Sequence, residues 1–231
     1  MDMLRDAQIA ELGLADWRKL GQGLHARYLV EDFGAGARFV AAVASAGDAA
    51  GHHPRTTLGD GFVDFKLISR DAIYRDDAGQ EHVVEWVTQK DVDLAGRITE
   101  LAAEQGLTAD PAGILTIELA LDTANAAKIA PMWAALLTGS TDAAGRGTIS
   151  DDVRDLTERV PILWFQGTDE HETPRQRFHL DMWVPAEFAE ERIAAAVAAG
   201  GTVVDDSEAP SYTVLADVDG NKACVCAAVG R

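Results

Sequence analysis

Cysteine is nearly absent from this chain: Cys224 and Cys226, one residue apart, are the two in 231. That excludes a disulfide framework. On a strand both thiols point to one face and are poorly placed to bridge each other, so they read as core residues of an apolar run. Long hydrophobic runs are also missing. Nothing approaches the ~18 apolar residues of a membrane span, and no basic leader followed by an apolar core is present, so the cytoplasm is the expected location. Basic residues are scarce, 20 against 38 acidic ones, for a formal net charge of -18. A chain so charged repels phosphate backbones and anionic headgroups, which argues against nucleic-acid and membrane partners. The acidity is spread along the chain and marks a solvated surface, not a site.

What is present is a globular composition, 47% hydrophobic and 25% charged, over a length that suits two domains. Ile9, Leu12, Leu14, Trp17 and Leu20 suggest a short helix broken near Gly13, followed by a period-2 strand over Leu24–Val30. Phe33, Ala37, Phe39, Val40, Val43 and Ala44 recur at helical spacing until Gly47 and Gly51 end the run. Gly61–Ser69 reads as a strand and His82–Val87 as another, joined through the turn residues Asp76-Asp77-Ala78-Gly79. Thr88 caps the next helix, with Asp91 at its third position and Val92, Leu94, Ala95, Ile98, Leu101 and Ala102 on its apolar face.

Leu107–Gly113 breaks both periodicities and reads as a linker between domains at 1–106 and 114–231. Beyond it come a strand over Ile114–Leu121, a helix over Ala124–Leu137, and strands at Thr148–Ile149 and Val160–Gln166. Then follow a strand over Phe178–Val184, a helix over Ala186–Ala199, and strands at Thr202–Asp205, Tyr212–Asp217 and Lys222–Ala228. Strand, helix and three strands thus occur twice, an internal repeat of roughly 55 residues. The expected class is α+β: an antiparallel sheet with helices on one face, then paired βαβββ modules.

The chemistry-bearing motif is His52-His53-Pro54, two adjacent imidazoles able to hold and pass protons near neutral pH. Together with Tyr28, Asp32-Phe33, Phe39, Val43, Val63, Leu67, Thr88, Asp91, Leu94-Ala95 and Ile98, it makes residues 1–106 resemble the pterin-4a-carbinolamine dehydratases, also called 4a-hydroxytetrahydrobiopterin dehydratases. The resemblance implies dehydration of a pterin 4a-carbinolamine by histidine acid–base chemistry, with no cofactor. His52, His53 and Asp91 are its candidate catalytic residues, Asp91 serving equally well as a helix cap. Pro54, Arg70 and His82 are its candidate substrate-binding residues. The family's third histidine falls on Arg70, and its aromatic positions after His-His-Pro fall on Thr56 and Asp60. An insertion over Asp71–His82 lengthens the hairpin, whose register would pair Arg70 with Glu85.

Leu121-Asp122, Met132-Trp133 to Gly139, Leu163-Trp164-Phe165, Arg177-Phe178-His179-Leu180-Asp181 and Asp217-Val218-Asp219-Gly220-Asn221 make residues 114–231 resemble the vicinal oxygen chelate superfamily of glyoxalases, bleomycin-resistance proteins and extradiol dioxygenases. Metal-dependent members hold a divalent ion with four His, Gln or Glu ligands. Of that set this chain keeps His179; Cys224 stands where a glutamate is usual, and Thr116, with Glu118 beside it, stands in the first strand. No metal is therefore expected. The resemblance implies a cup that His179, Trp164, Trp183, Tyr212 and Trp133 would line as a second pocket. The expected partner is a pterin or aromatic metabolite, with a homodimer possible. The alternative is a non-catalytic binding or resistance-type protein with a degenerate pterin pocket.

Overall fold

The computed structural model describes residues 1–124, 126–127, 129–130, 134, 152–155, 157–158, 160–169, 178–198, 201–216 and 222–228. It divides into two compact units, formed chiefly by Met1–Leu115 and by Thr116–Ala227. Among the described residues no helix is long and apolar enough to cross a membrane.

The first unit runs α1 (Asp6–Glu11), β1 (Arg18–Leu20), β2 (Gly23–Leu29), α2 (Phe33–Ala50), β3 (Arg55–Gly59), β4 (Phe62–Leu67), β5 (Ser69–Arg75), β6 (Glu81–Trp86), α3 (Gln89–Glu104) and β7 (Thr108–Ala109). Its main sheet is antiparallel in the order β1-β2-β4-β3, with β7 added to β2. Alternation decides which face is covered: Leu24, Ala26 and Tyr28 of β2 and Val63, Phe65 and Leu67 of β4 are buried. They pack with Phe39 and Val43 of α2 and Val92, Leu94, Ala95 and Ile98 of α3 in one core. At its centre the rings of Tyr28, Phe39 and Phe65 meet edge-on, 5.4 to 6.3 Å between centroids. Such geometry adds ~0.5–1.5 kcal/mol per pair to the burial itself. The Asp32 carboxylate accepts the Ala35 N–H at 2.7 Å and so fixes where α2 begins, a cap worth about 1 kcal/mol.

Four expectations are corrected here. The first helix ends at Glu11, before Gly13, but Arg18–Leu20, expected in the loop that follows it, is the strand β1, paired with Gly23–His25. Arg55–Gly59, not expected to be a strand, is the edge strand β3. The run 61–69 is not one strand: β4 ends at Leu67, and Ser69 opens the separate two-stranded ribbon of β5 and β6. Residues 107–113, read as a linker, lie within the first unit: Ala109 pairs with Tyr28, and the Asp110 N–H donates to the Arg27 carbonyl.

The second unit runs β8 (Thr116–Thr123), β9 (Leu163–Gly167), β10 (Phe178–Trp183), α4 (Ala186–Ala198), β11 (Thr202–Asp205), β12 (Tyr212–Ala216) and β13 (Lys222–Cys226). Residues 126–127, 129–130 and 134 between β8 and β9 are helical. The sheet order is β11-β12-β13-β10-β8-β9. β10 and β8 pair antiparallel at the centre, and each pairs in parallel with its own module's last strand, β13 and β9. The second module is therefore a complete βαβββ unit, and the first repeats its opening and closing strands. Leu121, Ala134, Val153 and Leu163 form this unit's buried cluster. The strand expected at Thr148–Ile149 lies outside the described residues.

Candidate active site

The site of the first unit begins where α2 stops. Gly51 takes φ 60°, the left-handed conformation that ends a helix and turns the chain back on itself. The returning His52 N–H donates to the Gly47 carbonyl at 3.1 Å. The approach is close: a Cβ on Gly47 would stand 2.9 Å from both the His52 carbonyl oxygen and the His53 ring. Pro54 then leads into β3.

His52 is turned inward and His53 outward. The His52 Nε2 lies 2.7 Å from Asp91 Oδ1, with the imidazole 14% exposed and the carboxylate fully buried. His53 Nε2 lies 2.9 Å from Asp48 Oδ1 at the surface. Asp48 was not among the candidates, although a signal existed. A carboxylate in the last turn of a helix opposes the helix dipole and so invites a local reason for being there.

Asp91 caps α3 and also reaches His52. With Thr88 it makes a capping box, its Oδ2 accepting the Thr88 N–H at 2.8 Å. The same oxygen accepts the Ser69 hydroxyl at 2.7 Å and faces the Thr88 hydroxyl at 3.1 Å. Ser69, Thr88 and Asp91 are all buried. With the Thr88 N–H and the Ser69 hydroxyl both donating to Oδ2, the carboxylate acts there as an acceptor, which leaves Oδ1 for His52. The His52 Nε2 therefore carries a proton, and the imidazole lone pair falls on Nδ1, where it can act as a base.

The other candidates divide. Arg70 Nε stands 3.8 Å from Glu85, the pairing that the ribbon's register implies. His82 is drawn into the ribbon's turn instead, 3.0 Å from Asp76 and stacked at 6.0 Å on Tyr74. Since it pairs with Tyr74, five residues from Ser69, it lies about 17 Å along the ribbon from the Ser69–Asp91 contact. The structure does not bring it to His52. Thr56 is half-buried on β3 opposite Phe65, and Asp60 is exposed in the turn from β3 to β4.

In the second unit the strand registers line up a single sheet face. One row reads Tyr212, Cys226, Trp183 and Thr116; the next reads Val214, Cys224, Asp181 and Glu118; a third joins His179, Ala120 and Trp164. The Trp164 indole donates to Asp181 at 3.1 Å and meets the His179 ring edge-on at 5.8 Å, while the Trp183 indole donates to Glu118 at 3.2 Å. His179 lies 3.4 Å from Asp122 and 3.5 Å from Asp181. Burial raises the Asp181 carboxyl above its usual range, against the opposing pull of His179. Burial and the nearby Asp181 push the Cys224 thiol up to about 12, and burial raises Cys226 as well. Trp133 and the turn at 217–221 lie outside the described residues.

His179, Asp181 and Cys224 each offer one donor atom within 4.8 Å of the others. They do not fit the divalent ion of the superfamily, which takes four nitrogen and oxygen ligands. Among the described residues there are three donors, all from the second module, and the surroundings of Cys224 and Asp181 raise the pKa of each.

The His52–Asp91 contact joins the segment that follows α2 to the start of α3 in an α+β first unit. Its residues 2–101 match the family described as Pterin 4 alpha carbinolamine dehydratase, and residues 118–226 match the family described as Glyoxalase-like domain. A "Putative pterin-4-alpha-carbinolamine dehydratase" of Koribacter versatilis (strain Ellin345) is 33% identical over 96 residues, 42% of this chain and 89% of that protein. One of the same description from Natronomonas pharaonis is 33% identical over 101 residues, 44% of this chain and 97% of that protein. A solved transcriptional coactivator/pterin dehydratase from Brucella Melitensis covers 44% of this chain and 99% of its own at 20% identity, with a TM-score of 0.36. Through its first unit the chain belongs to the pterin-4-alpha-carbinolamine dehydratase family, with a glyoxalase-like domain fused behind it.

Proposed function

We propose that the first unit dehydrates a pterin 4a-carbinolamine, a hydro-lyase reaction needing neither metal nor bound cofactor. The observation that carries this is the 2.7 Å contact between His52 and the buried Asp91, with His53 following directly in the chain. In the reaction the bond from C4a to its hydroxyl breaks as the oxygen is protonated and leaves as water. The neighbouring ring nitrogen loses its proton, and its electron pair forms the C=N bond. His52 Nδ1 takes the nitrogen proton, and His53 in its protonated form supplies the one that departs with water. Protons balance, and the pair is reset by exchange with solvent.

The test is stopped-flow dehydration of synthetic 4a-hydroxytetrahydropterin in the presence of EDTA. Wild type should accelerate the reaction, and His52→Ala and His53→Ala should each abolish most of the acceleration. Their stabilities should differ. His52→Ala strips a buried carboxylate of one partner and should cost about 1–3 kcal/mol, whereas the exposed His53→Ala should stay within about 0.5 kcal/mol. A wild-type rate equal to the uncatalysed background refutes the proposal.

The sheet face carrying Trp164, His179, Asp181 and Trp183 favours a second reading for the second unit, a cup that binds a small aromatic molecule without turnover. Quenching of tryptophan fluorescence by a pterin, lost in Trp164→Leu, would support it; identical quenching in that variant would not.

A further inference from the structure

We propose that Ser69 is a positioning residue of the His52 site, acting through Asp91 to hold His52 with its proton on Nε2 and its lone pair on Nδ1. The inference rests on the dehydratase reading for its consequence in catalysis but not for its structural content. Ser69 opens β5, whereas Asp91 and Thr88 belong to the start of α3, so the hydroxyl ties two elements together at the carboxylate. All three residues are buried, Ser69 at 2% and the others at 0% exposure, and water does not compete for their bonds.

The proton count gives Ser69 its particular part. Each hydroxyl has one proton to give. Ser69 Oγ is 2.7 Å from Asp91 Oδ2 and 2.8 Å from Thr88 Oγ, whereas Thr88 Oγ is 3.1 Å from that carboxylate. The shortest path has Ser69 donating to Asp91 while Thr88 donates to Ser69. The Thr88 oxygen remains free to accept the Asp91 N–H in the capping box. Ser69 is thus the side-chain donor that saturates Oδ2, leaving Oδ1 turned to His52 at 2.7 Å.

Without the Ser69 hydroxyl, Oδ2 keeps the Thr88 N–H and would draw the Thr88 proton to itself. The carboxylate can then rotate about its Cα–Cβ and Cβ–Cγ bonds toward Thr88, lengthening its contact with His52. An imidazole released from that contact populates both neutral tautomers, and the one protonated on Nδ1 has no base to offer there. Hydrogen bonds to charged groups are worth enough for a loss of about tenfold in kcat to follow, with KM nearly unchanged because Ser69 does not touch the substrate.

The experiment uses the full chain, labelled with 15N-histidine, and reads the ring nitrogen shifts of His52 in wild type, Ser69→Ala and Ser69→Cys at neutral pH. The wild-type signals should report a protonated Nε2 and an unprotonated Nδ1. Ser69→Ala should show averaged tautomers, and Ser69→Cys, which keeps the size and a weak donor, should fall between. Dehydration kinetics should follow the same order in kcat, with KM within about twofold. A His52 tautomer unaltered in folded Ser69→Ala overturns the inference, even if that variant is less stable. Should Ser69→Ala fail to fold, Ser69→Cys decides in the same way. A wild type with no dehydratase activity removes the dehydratase reading alone, since the nitrogen shifts still decide whether Ser69 positions His52.

Discussion

Replacing Gly47 with alanine should destabilise the first unit, although the same change elsewhere in its helices should stabilise it. Glycine in a helix interior costs roughly 0.5–1 kcal/mol relative to alanine, so the substitution ordinarily gains that amount. Gly96, inside α3, has nothing within 4 Å of where a Cβ would stand, and Gly96→Ala should show the ordinary gain. At Gly47 the new methyl group would lie 2.9 Å from a backbone oxygen and 2.9 Å from the His53 ring. The ring can move. The His52 carbonyl belongs to the turn that Gly51 sets, and moving it stretches the bond from the His52 N–H to the Gly47 carbonyl. Overpacking of this kind costs about 1–3 kcal/mol, so after the helix gain a net loss of about 1–2 kcal/mol remains. Urea denaturation followed by the amide resonances of β2 and β4 reports the first unit separately from the second. The two variants should shift the midpoint in opposite directions, and Gly47→Ala should also lower the dehydration rate by displacing both histidines. Stabilisation of Gly47→Ala by as much as Gly96→Ala would refute the close packing of the His-His turn on α2.

The stability of the first unit should also carry the mark of His25. This residue sits on β2 between Arg18 and Lys66, and burial, with the charges of Lys66 and Lys19, pushes its pKa down to about 3. The unfolded chain binds the proton near pH 6.5 and the folded unit does not, so this contribution is complete above pH 6.5 and is lost as pH falls toward 3. At pH 5 the loss amounts to about 2 kcal/mol, and His25→Gln, measured by urea denaturation at pH 7 and pH 5, should lose less on acidification by that amount. Equal pH dependence in the two proteins would contradict the burial of a neutral His25. In the second unit, a Cys224 pKa of about 12 against an ordinary 9.0 predicts iodoacetamide labelling about 1000-fold slower in the native chain than in urea at pH 8. Peptide mass mapping would detect this, and native labelling at the unfolded rate would rule out the buried, carboxylate-flanked thiol.

What could be read from the sequence was whatever short-range chemistry decides. The cap at Thr88 with Asp91 three residues on, the turn at Asp76–Gly79 and the glycines closing α2 each depend on a few neighbours, and each lies where the pattern indicates. The strand boundaries that were missed depend on distant partners. The apolar run across Leu67, Ile68 and Ser69 has no turn residue to mark the point where the chain leaves one sheet for another; Leu67 pairs with Leu24, while Ser69 pairs with Trp86. The Arg55–Gly59 segment, rich in threonine and glycine, is a strand because β4 offers it an edge. The candidate site divides in the same way. The His pair stood out in the sequence, but the contact that sets the role of His52 spans 39 residues, and it exists because α2 and α3 pack on one face of the sheet.

Capping α3 and reaching His52 read as alternatives in sequence, but the two oxygens of Asp91 do both. Oδ2 satisfies the buried Thr88 N–H at the start of α3 and the Ser69 hydroxyl, and in doing so fixes the direction of Oδ1 toward His52. A helix start is among the most rigid places a carboxylate can occupy, since its backbone is held by the helix and its side chain by the cap. Placing the histidine's partner there makes the tautomer of His52 a consequence of the fold. The His52–Asp91 contact then persists as long as α3 keeps its first turn and β5 keeps Ser69 against it.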